Sequence, residues 1–299
     1  MSKENSENLK IPEQPKVSYL KGTYIWKQTS EESYECKMKI IKSINNNIKL
    51  PISYTYINDI EYILKPRSIV NDPFSSENSL LIWCDLVTFE GKSNNLDDRI
   101  NFLQELSKHQ EVLKEKIPKI SFVQNFTVNT EGINIENLLE DFIRLCLGSN
   151  IEIDEYSFKN NKIKFNTVLN QVLSACDELL LSRYLFNRLS KKYKFNYDLD
   201  DNLSYIFCDI KCTEEDGQKN LLEYVNNLKN SHKTIDNKLL DKNYINKTFS
   251  SGNNVNDMIL TPDSSLKLKS NHLIDQRFKS SSDVYSIICQ NIKVIYNLK

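Results

Sequence analysis

The sequence predicts an α+β protein in which a small N-terminal sheet domain is followed by a larger domain of sheet and helices. Three observations predict it. Aromatic and β-branched residues gather at 23–26 and 35–41 on either side of a polar stretch, 28–33, which is the pattern of a β-hairpin. Residues 172–193, VLSACDELLLSRYLFNRLSKKY, repeat apolar side chains at Val172, Leu173, Cys176, Leu179, Leu180, Tyr184, Leu185, Leu189 and Tyr193, the three-and-four spacing of a helix with a broad buried stripe. Strand-like segments stand on both sides of that helix, 151–158 and 162–167 before it, 195–199 and 203–211 after it. The expected division is a polar arm at 1–18, a sheet domain at 19–92 and an α+β domain at 93–299.

Each element has its own signal. The arm carries Pro12 and Pro15 among polar residues, which leaves it little to pack with. Ile63-Leu64 and 79–87 add strands to the first sheet, with the turn residues Asn71-Asp72-Pro73 between them. Asp97 and Asp98 mark a helix start, and Ile100, Leu103 and Leu106 its buried face. A strand is expected at 120–128 and then a helix at 135–147 that Gly148 closes. In the central helix, Arg183 and Arg188 are expected at the polar edge. Gly217 precedes a helix through Leu221, Val225 and Leu228, the stretch 250–256 is too polar for core, and 282–296 reads as a closing helix with Val284, Ile287, Ile288, Ile292 and Ile295 on its apolar side.

Composition narrows the function classes. At 299 residues, 39% hydrophobic and 26% charged, the chain is an ordinary globular protein able to bury a good core. Its net charge is −1 and Lys and Glu are interleaved, so the electrostatic footprint of a nucleic-acid binder is missing. No apolar run reaches the ~20 residues of a membrane span, and a cytoplasmic address follows by default. Seven cysteines without paired spacing read as reduced, buried thiols.

Several constellations are weighed as chemistry and set aside. Glu152, Asp154 and Glu155 are acidic, but charges on a strand usually mark a solvated face. Cys208, Asp209 and Cys212 lie close together, yet structural zinc takes four ligands in paired spacing. His109, His232 and His272 are scattered, no serine or cysteine has a recognisable base motif, and no glycine-rich phosphate loop is present.

The order of several short segments resembles one family over nearly the whole chain. Tyr24-Ile25-Trp26 followed after nine residues by Cys36-Lys37, Asn71-Asp72-Pro73-Phe74 followed by Ser79 to Asp85, Ser182-Arg183-Tyr184-Leu185 with Asn187-Arg188, Ile274-Asp275-Gln276-Arg277, and Asp283-Val284-Tyr285 are similar to successive motifs of glutamine synthetase of the eukaryotic decameric type. That resemblance implies a β-grasp-like first domain and a second domain with a curved antiparallel sheet packed on helices. It also implies ATP-dependent amidation of glutamate, with Mg²⁺ held by carboxylates and a histidine and an active site shared between neighbouring subunits.

The residues at the family's ligand positions depart from this chemistry. Val123 and Asn125 stand at its Glu-x-Glu strand, Lys164 and Gln171 at two further glutamates, Asp209 at a histidine and Ile274 at the last glutamate. Of these, Asp209 alone can carry negative charge. Arg277 remains from a phosphate-binding Arg-Arg pair whose neighbour is Gln276, residues 129–134 replace a long nucleotide-holding insertion, 259–263 lacks the family's arginines, the glutamate-site loop shrinks to about 248–256, and the loop expected at 54–59 lacks the family's Asp-Gly-Ser-Ser motif. The expectation is a catalytically inactive relative, with no Mg²⁺ or ATP, acting through self-association or contact with an active glutamine synthetase. The alternative is an active or residual glutamate–ammonia ligase. The six ligand positions are expected to face one vestigial cleft.

Overall fold

The computed structural model describes residues 17–27, 34–44, 47–75, 79–91, 99–129, 132–231, 239, 266–269 and 271–298. Residues 1–16, the turn at 28–33, Asp97 and Asp98, His232 and the stretches 248–256 and 259–263 lie outside them.

The expected hairpin is formed by β1 (Val17–Lys27) and β2 (Tyr34–Ile44), antiparallel from Val17 opposite Ile44 to Lys27 opposite Tyr34. With β3 (Asn47–Ile48), β4 (Ser53–Ile57), β5 (Ile60–Asn71) and β6 (Ser79–Val87) they make a six-stranded sheet in the order β3-β2-β1-β6-β5-β4, in which the central β1 and β6 run parallel. The segment 54–59, read from sequence as a loop, is instead β4 and a tight turn. Asn58 and Asp59 both take positive φ, as a two-residue hairpin turn demands. Strand alternation gives this sheet two apolar faces. Tyr24, Trp26, Ile41, Ile82 and Leu86 form a core of their own, and Ile25, Leu81 and Trp83 join the main core.

The larger part begins with two short helices, α1 (Arg99–Lys108) and α2 (Gln110–Lys116), and strand β7 (Lys119–Val128). The buried face of α1 differs from expectation. Phe102 and Arg99 point inward and Leu103 is 37% exposed, because Phe102 packs on Tyr285 with ring centroids 6.0 Å apart. Helix α3 (Ile135–Gly148) is started by the Asn134 side chain, which accepts from the Asn137 amide. Gly148 is its last helical residue and not the left-handed cap. That conformation falls to Asn150 at φ +58°, while a side chain at 148 would press on Pro73 at 3.2 Å.

Strands β8 (Ile153–Lys159) and β9 (Lys162–Thr167) form a hairpin through Asn160-Asn161, again both at positive φ. The bridge β10 (Asn170–Gln171) leads into α4 (Val172–Tyr193). After it come β11 (Tyr197–Leu199), β12 (Asn202–Cys208), α5 (Gly217–Asn230), β13 (Leu266–Lys269), β14 (His272–Lys279) and α6 (Val284–Ile295). The strand expected at 203–211 stops at Cys208, because Asp209 caps a 3-10 turn over Ile210–Thr213. The eight-stranded sheet runs β13-β14-β12-β7-β9-β8, with β10 and β11 also on β7, and it curves around the helices in an α+β half-barrel.

Helix α4 is the centre of the packing. Every residue from Leu179 to Phe186 is buried, so the stripe read from the sequence is wrapped all round over these two turns. On one side Phe186 stacks on Phe126 of β7 at 4.0 Å between centroids, and both meet Phe142 of α3. On the other side Tyr184 meets Trp83 of β6 at 6.1 Å. Arg183 is therefore not at a polar edge. It is buried, donating from Nε and Nη2 to Gln124 Oε1 at 2.9 and 2.6 Å. Arg188 reaches the turn between β5 and β6, donating to Asp72 Oδ1 at 3.0 Å with its guanidinium over the Phe74 ring, so two of the segments singled out in the sequence touch each other.

Candidate functional site

The alternation of β7 divides the expected site. Phe122, Gln124, Phe126 and Val128 point to the helices, which leaves Val123 and Asn125 on the opposite, open face of the large sheet. Directly opposed residues of an antiparallel pair share a face. Asn125 is opposite Lys164, Val123 is opposite Asn166 and Ser204, and Ser121 is linked through Ile206 to Ile274. The sheet thus gathers Val123, Asn125, Lys164 and Ile274 on one face. Gln171 lies at the end of that face, opposite Lys119, beside a groove of about 550 Å³ bordered by α1 and α2.

This face offers poor chemistry for a small divalent cation. Val123 and Ile274 have no donor atom, Asn125 and Gln171 have neutral amides, and Lys164 brings a cation where a carboxylate would be needed. The carboxylates nearby are engaged. Glu155 takes the Asn166 amide at 3.0 Å with Lys164 Nζ 4.0 Å away, and Asp200 takes the Thr127 hydroxyl at 2.6 Å and Lys162 Nζ at 2.8 Å. Among the described residues no group of three or more His, Cys, Asp and Glu is placed to hold a metal, and the acidic run Glu152, Asp154, Glu155 is broken by a register shift between Ile153 and Glu155. The described residues of this face do not fit Mg²⁺.

Asp209 is on the other side. Its carboxylate is buried beneath α5 and α6, where it accepts from the Cys212 amide (3.0 Å), the Cys212 thiol (3.1 Å), and the hydroxyls of Tyr224 and Tyr296 (2.8 Å each). Burial first, and then the bond to Asp209, push both phenols well above the usual tyrosine range. The helix opened by Gly217 closes against this turn so tightly that a Cβ at 217 would fall 2.1 Å from the Cys212 carbonyl oxygen. Arg277 is also internal. Its Nε and Nη2 donate to Asp275 Oδ1 and Oδ2 at 2.9 and 2.6 Å, Nη2 reaches Asn291 Oδ1 at 3.3 Å, and Tyr205 donates to the same Asp275. Alternation along β14 separates Ile274, on the open face, from this buried pair.

No protein-family model matches the chain. Over 223 residues it is 19% identical to "Glutamine synthetase 1, mitochondrial" of Drosophila melanogaster, an alignment that covers 62% of this chain and 54% of that protein. The chain is a distant, partial homologue of glutamine synthetase-type proteins. It spans about half the length of that relative. Away from that face the chain carries an internal ionic network that has no counterpart in the sequence reading.

That network joins the two sheets through α4. Arg99 holds Asp177 through Nε and Nη2 at 3.0 and 3.1 Å and Asp85 through Nη1 at 3.1 Å. Arg67 donates to Asp85 at 3.1 Å with its guanidinium over Trp83, and Tyr285 donates to Asp177 at 2.5 Å. Its members sit far apart in the chain, and the single local clue is an arginine or aspartate inside an otherwise apolar run. A cavity of about 330 Å³ beside it is bordered by Arg67, Arg99, Asp177 and Glu178. Burial raises the Glu178 carboxyl from its ordinary 4.5 to about 7, helped by Glu152 and Asp177 and opposed by the amide of Asn170 at 2.6 Å.

A pH dependence follows from Glu178. A carboxyl whose pKa is higher in the folded state favours folding when protonated, so its contribution is full below about 4.5 and lost as the pH rises through about 7. Glu178→Gln, which imitates the protonated form, should gain on the native protein by about 1–2 kcal/mol between about pH 5 and about pH 8, after allowing for solvent screening. Urea unfolding at the two pH values measures it. Parallel losses in both proteins would contradict the assignment.

Proposed function

We propose that this chain is a glutamine synthetase-like protein without ligase chemistry, a pseudoenzyme that works as a structural or regulatory subunit through protein contacts. One observation carries the reading. The face of the large sheet where the resemblance locates the metal ligands holds Val123, Asn125, Lys164 and Ile274, while Asp209, the remaining acid, is buried under four donors on the other side. A cation entering there would give up its water for two hydrocarbon side chains, an amide and an ammonium group. The six positions are vestigial in this reading, and Arg277 supports the core through Asp275 instead of holding phosphate.

The small sheet supports the second half of the proposal. Met38 and Ile40, with Tyr19 beside them on the β1–β2 pair, share the face of Ile25 and Trp83 but lie beyond the part that α4 covers, and they are 64%, 71% and 63% exposed. In the proposed reading the first domain is β-grasp-like and this strip meets a second copy or an active glutamine synthetase. Such a contact should bury roughly 2,000 Å² or more in total.

Native mass spectrometry of the pure protein, alone and mixed with an active glutamine synthetase, tests assembly. The expected result is a particle several times the 35.0 kDa chain, or a mixed particle. A strict monomer in both samples at micromolar concentration would refute the assembly role, and ATP-dependent glutamine formation by the pure protein would favour residual ligase activity instead.

A further inference from the structure

The cavity beside the ionic network has one carboxylate more than its cations match. Its volume is about 330 Å³, and α4 borders it with Leu173, Ser174, Asp177, Glu178 and Leu181, which helical spacing gathers on one side of the helix. Around it the guanidinium groups of Arg67 and Arg99 are matched by Asp85 and Asp177: Arg99 bonds both acids, and Arg67 bonds Asp85 with its Nε 3.9 Å from Asp177. Glu178 is the third acid. Its Oε1 accepts from the Asn170 amide at 2.6 Å, and among the described residues no Lys or Arg pairs with it, while Glu152 adds negative charge nearby. The other walls favour the same sign of ligand. Ser149 and Asn150 bring the C-terminus of α3 to the cavity, the end of a helix that favours a cation, and the buried Ser149 hydroxyl has no partner among the described residues. Val70 and Ile151 add hydrocarbon to that of Leu173 and Leu181.

We propose that this cavity is a binding site for a small aliphatic ammonium ion, held by the Glu178 carboxylate with its hydrocarbon body against Val70, Ile151, Leu173 and Leu181. An ammonium group has three donors and no acceptor, and Glu178 Oε2 and the Ser149 hydroxyl oxygen are acceptors without a partner among the described residues. A carboxylate ligand would meet Glu178 as a like charge, and the two arginines that could attract it are already matched by Asp85 and Asp177. The volume falls at the lower end of the roughly 300–1,000 Å³ of small-molecule sites, which suits a chain of a few carbons. The walls come from α1, α4, β5 and the end of α3, away from the open face of the large sheet, so the site stands whether or not ligase chemistry has been lost. The charged groups around Glu178 are Asp177 on its own helix, Arg67 of β5, Arg99 of α1 and Glu152 before β8, and burial moves the Glu178 carboxyl to about 7. An ammonium ion favours the ionised carboxylate, so its affinity should rise with pH through that value.

Saturation-transfer NMR of the full chain with n-butylammonium, n-butanol and butyrate compares a cation, a neutral molecule and an anion of one length. At about pH 8, n-butylammonium should saturate with a Kd of about 1 mM, and the other two should show no saturable transfer up to about 20 mM. At about pH 6 the ionised fraction of Glu178 is roughly tenfold smaller, so the Kd should be about tenfold weaker while the ammonium keeps its charge. Glu178→Gln, which keeps the shape and removes the charge, should weaken binding at about pH 8 by roughly tenfold or more and abolish the pH dependence. If that variant does not fold, the pH dependence of the native chain decides alone. The proposal is overturned if n-butylammonium shows no saturable transfer, if butanol or butyrate binds as tightly, or if sodium at equal concentration displaces the amine. Equal Kd values at the two pH values, or unchanged affinity in a folded Glu178→Gln, would overturn it as well.

Discussion

Replacing Arg277 with methionine is expected to lower the unfolding free energy by about 3–5 kcal/mol, the cost of leaving one member of a buried ion pair uncompensated. Arg277 and Asp275 are both fully enclosed, and the pair makes two parallel bonds, with Tyr205 and Asn291 completing its surroundings. Methionine keeps much of the volume, so the loss measures the stranded Asp275 more than a cavity. A domain is usually stable by only ~5–15 kcal/mol, so this change alone takes a large share. Replacing both members, Arg277→Met with Asp275→Leu, should recover most of the loss, because a packed apolar pair avoids the desolvation of two charges. Urea midpoints at constant slope give the comparison. A single variant within about 1 kcal/mol of the native protein would show that water already reaches the pair.

Asp209→Ala should cost about 3 kcal/mol without altering the response to Mg²⁺. The carboxylate caps the turn after β12 and accepts from two tyrosines that fix α5 and the end of α6 to it. Losing a cap is worth ~1 kcal/mol, and each buried hydroxyl left without its charged acceptor adds ~1–3 kcal/mol, part of which the tyrosines regain by turning to other partners. Thermal unfolding with and without Mg²⁺ separates a structural acid from a metal ligand. If the native protein is stabilised by Mg²⁺ and the variant is not, Asp209 is a ligand and its assignment to the core is wrong.

The sequence made some of this visible for definite physical reasons. Helix α4 was legible to its ends because its apolar spacing persists over six turns. Its full burial was not, since a period identifies a face but cannot foresee a second sheet on the opposite side. Arg183 illustrates the same limit. An arginine in an amphipathic helix belongs at the polar edge unless an internal acceptor exists, and here Gln124 supplies it from β7. Strands β8 and β9 were legible from their composition, and Asn160-Asn161 carried a turn signal as plain as any in the chain. Asn58-Asp59 carried another, yet the segment around it was read as a loop. Within the site, the replaced residues could be read position by position, but their grouping depends on strand register. Asn125 meets Lys164 because β7 and β9 pair, and Asp209 turns inward because β12 ends one residue earlier. The network of Arg67, Asp85, Arg99 and Asp177 joins four separate elements and has no local pattern at all.

A calorimetric titration of the pure protein with Mg²⁺-ATP bears most directly on the proposal that the chain lacks ligase chemistry. The residues on the open face predict no saturable heat, which corresponds to a Kd weaker than about 1 mM or less than about 4 kcal/mol of binding. A saturable isotherm with a Kd near 1 μM, about 8 kcal/mol, would contradict the account, because no such affinity for a nucleotide-bound cation can come from Val123, Asn125, Lys164 and Ile274.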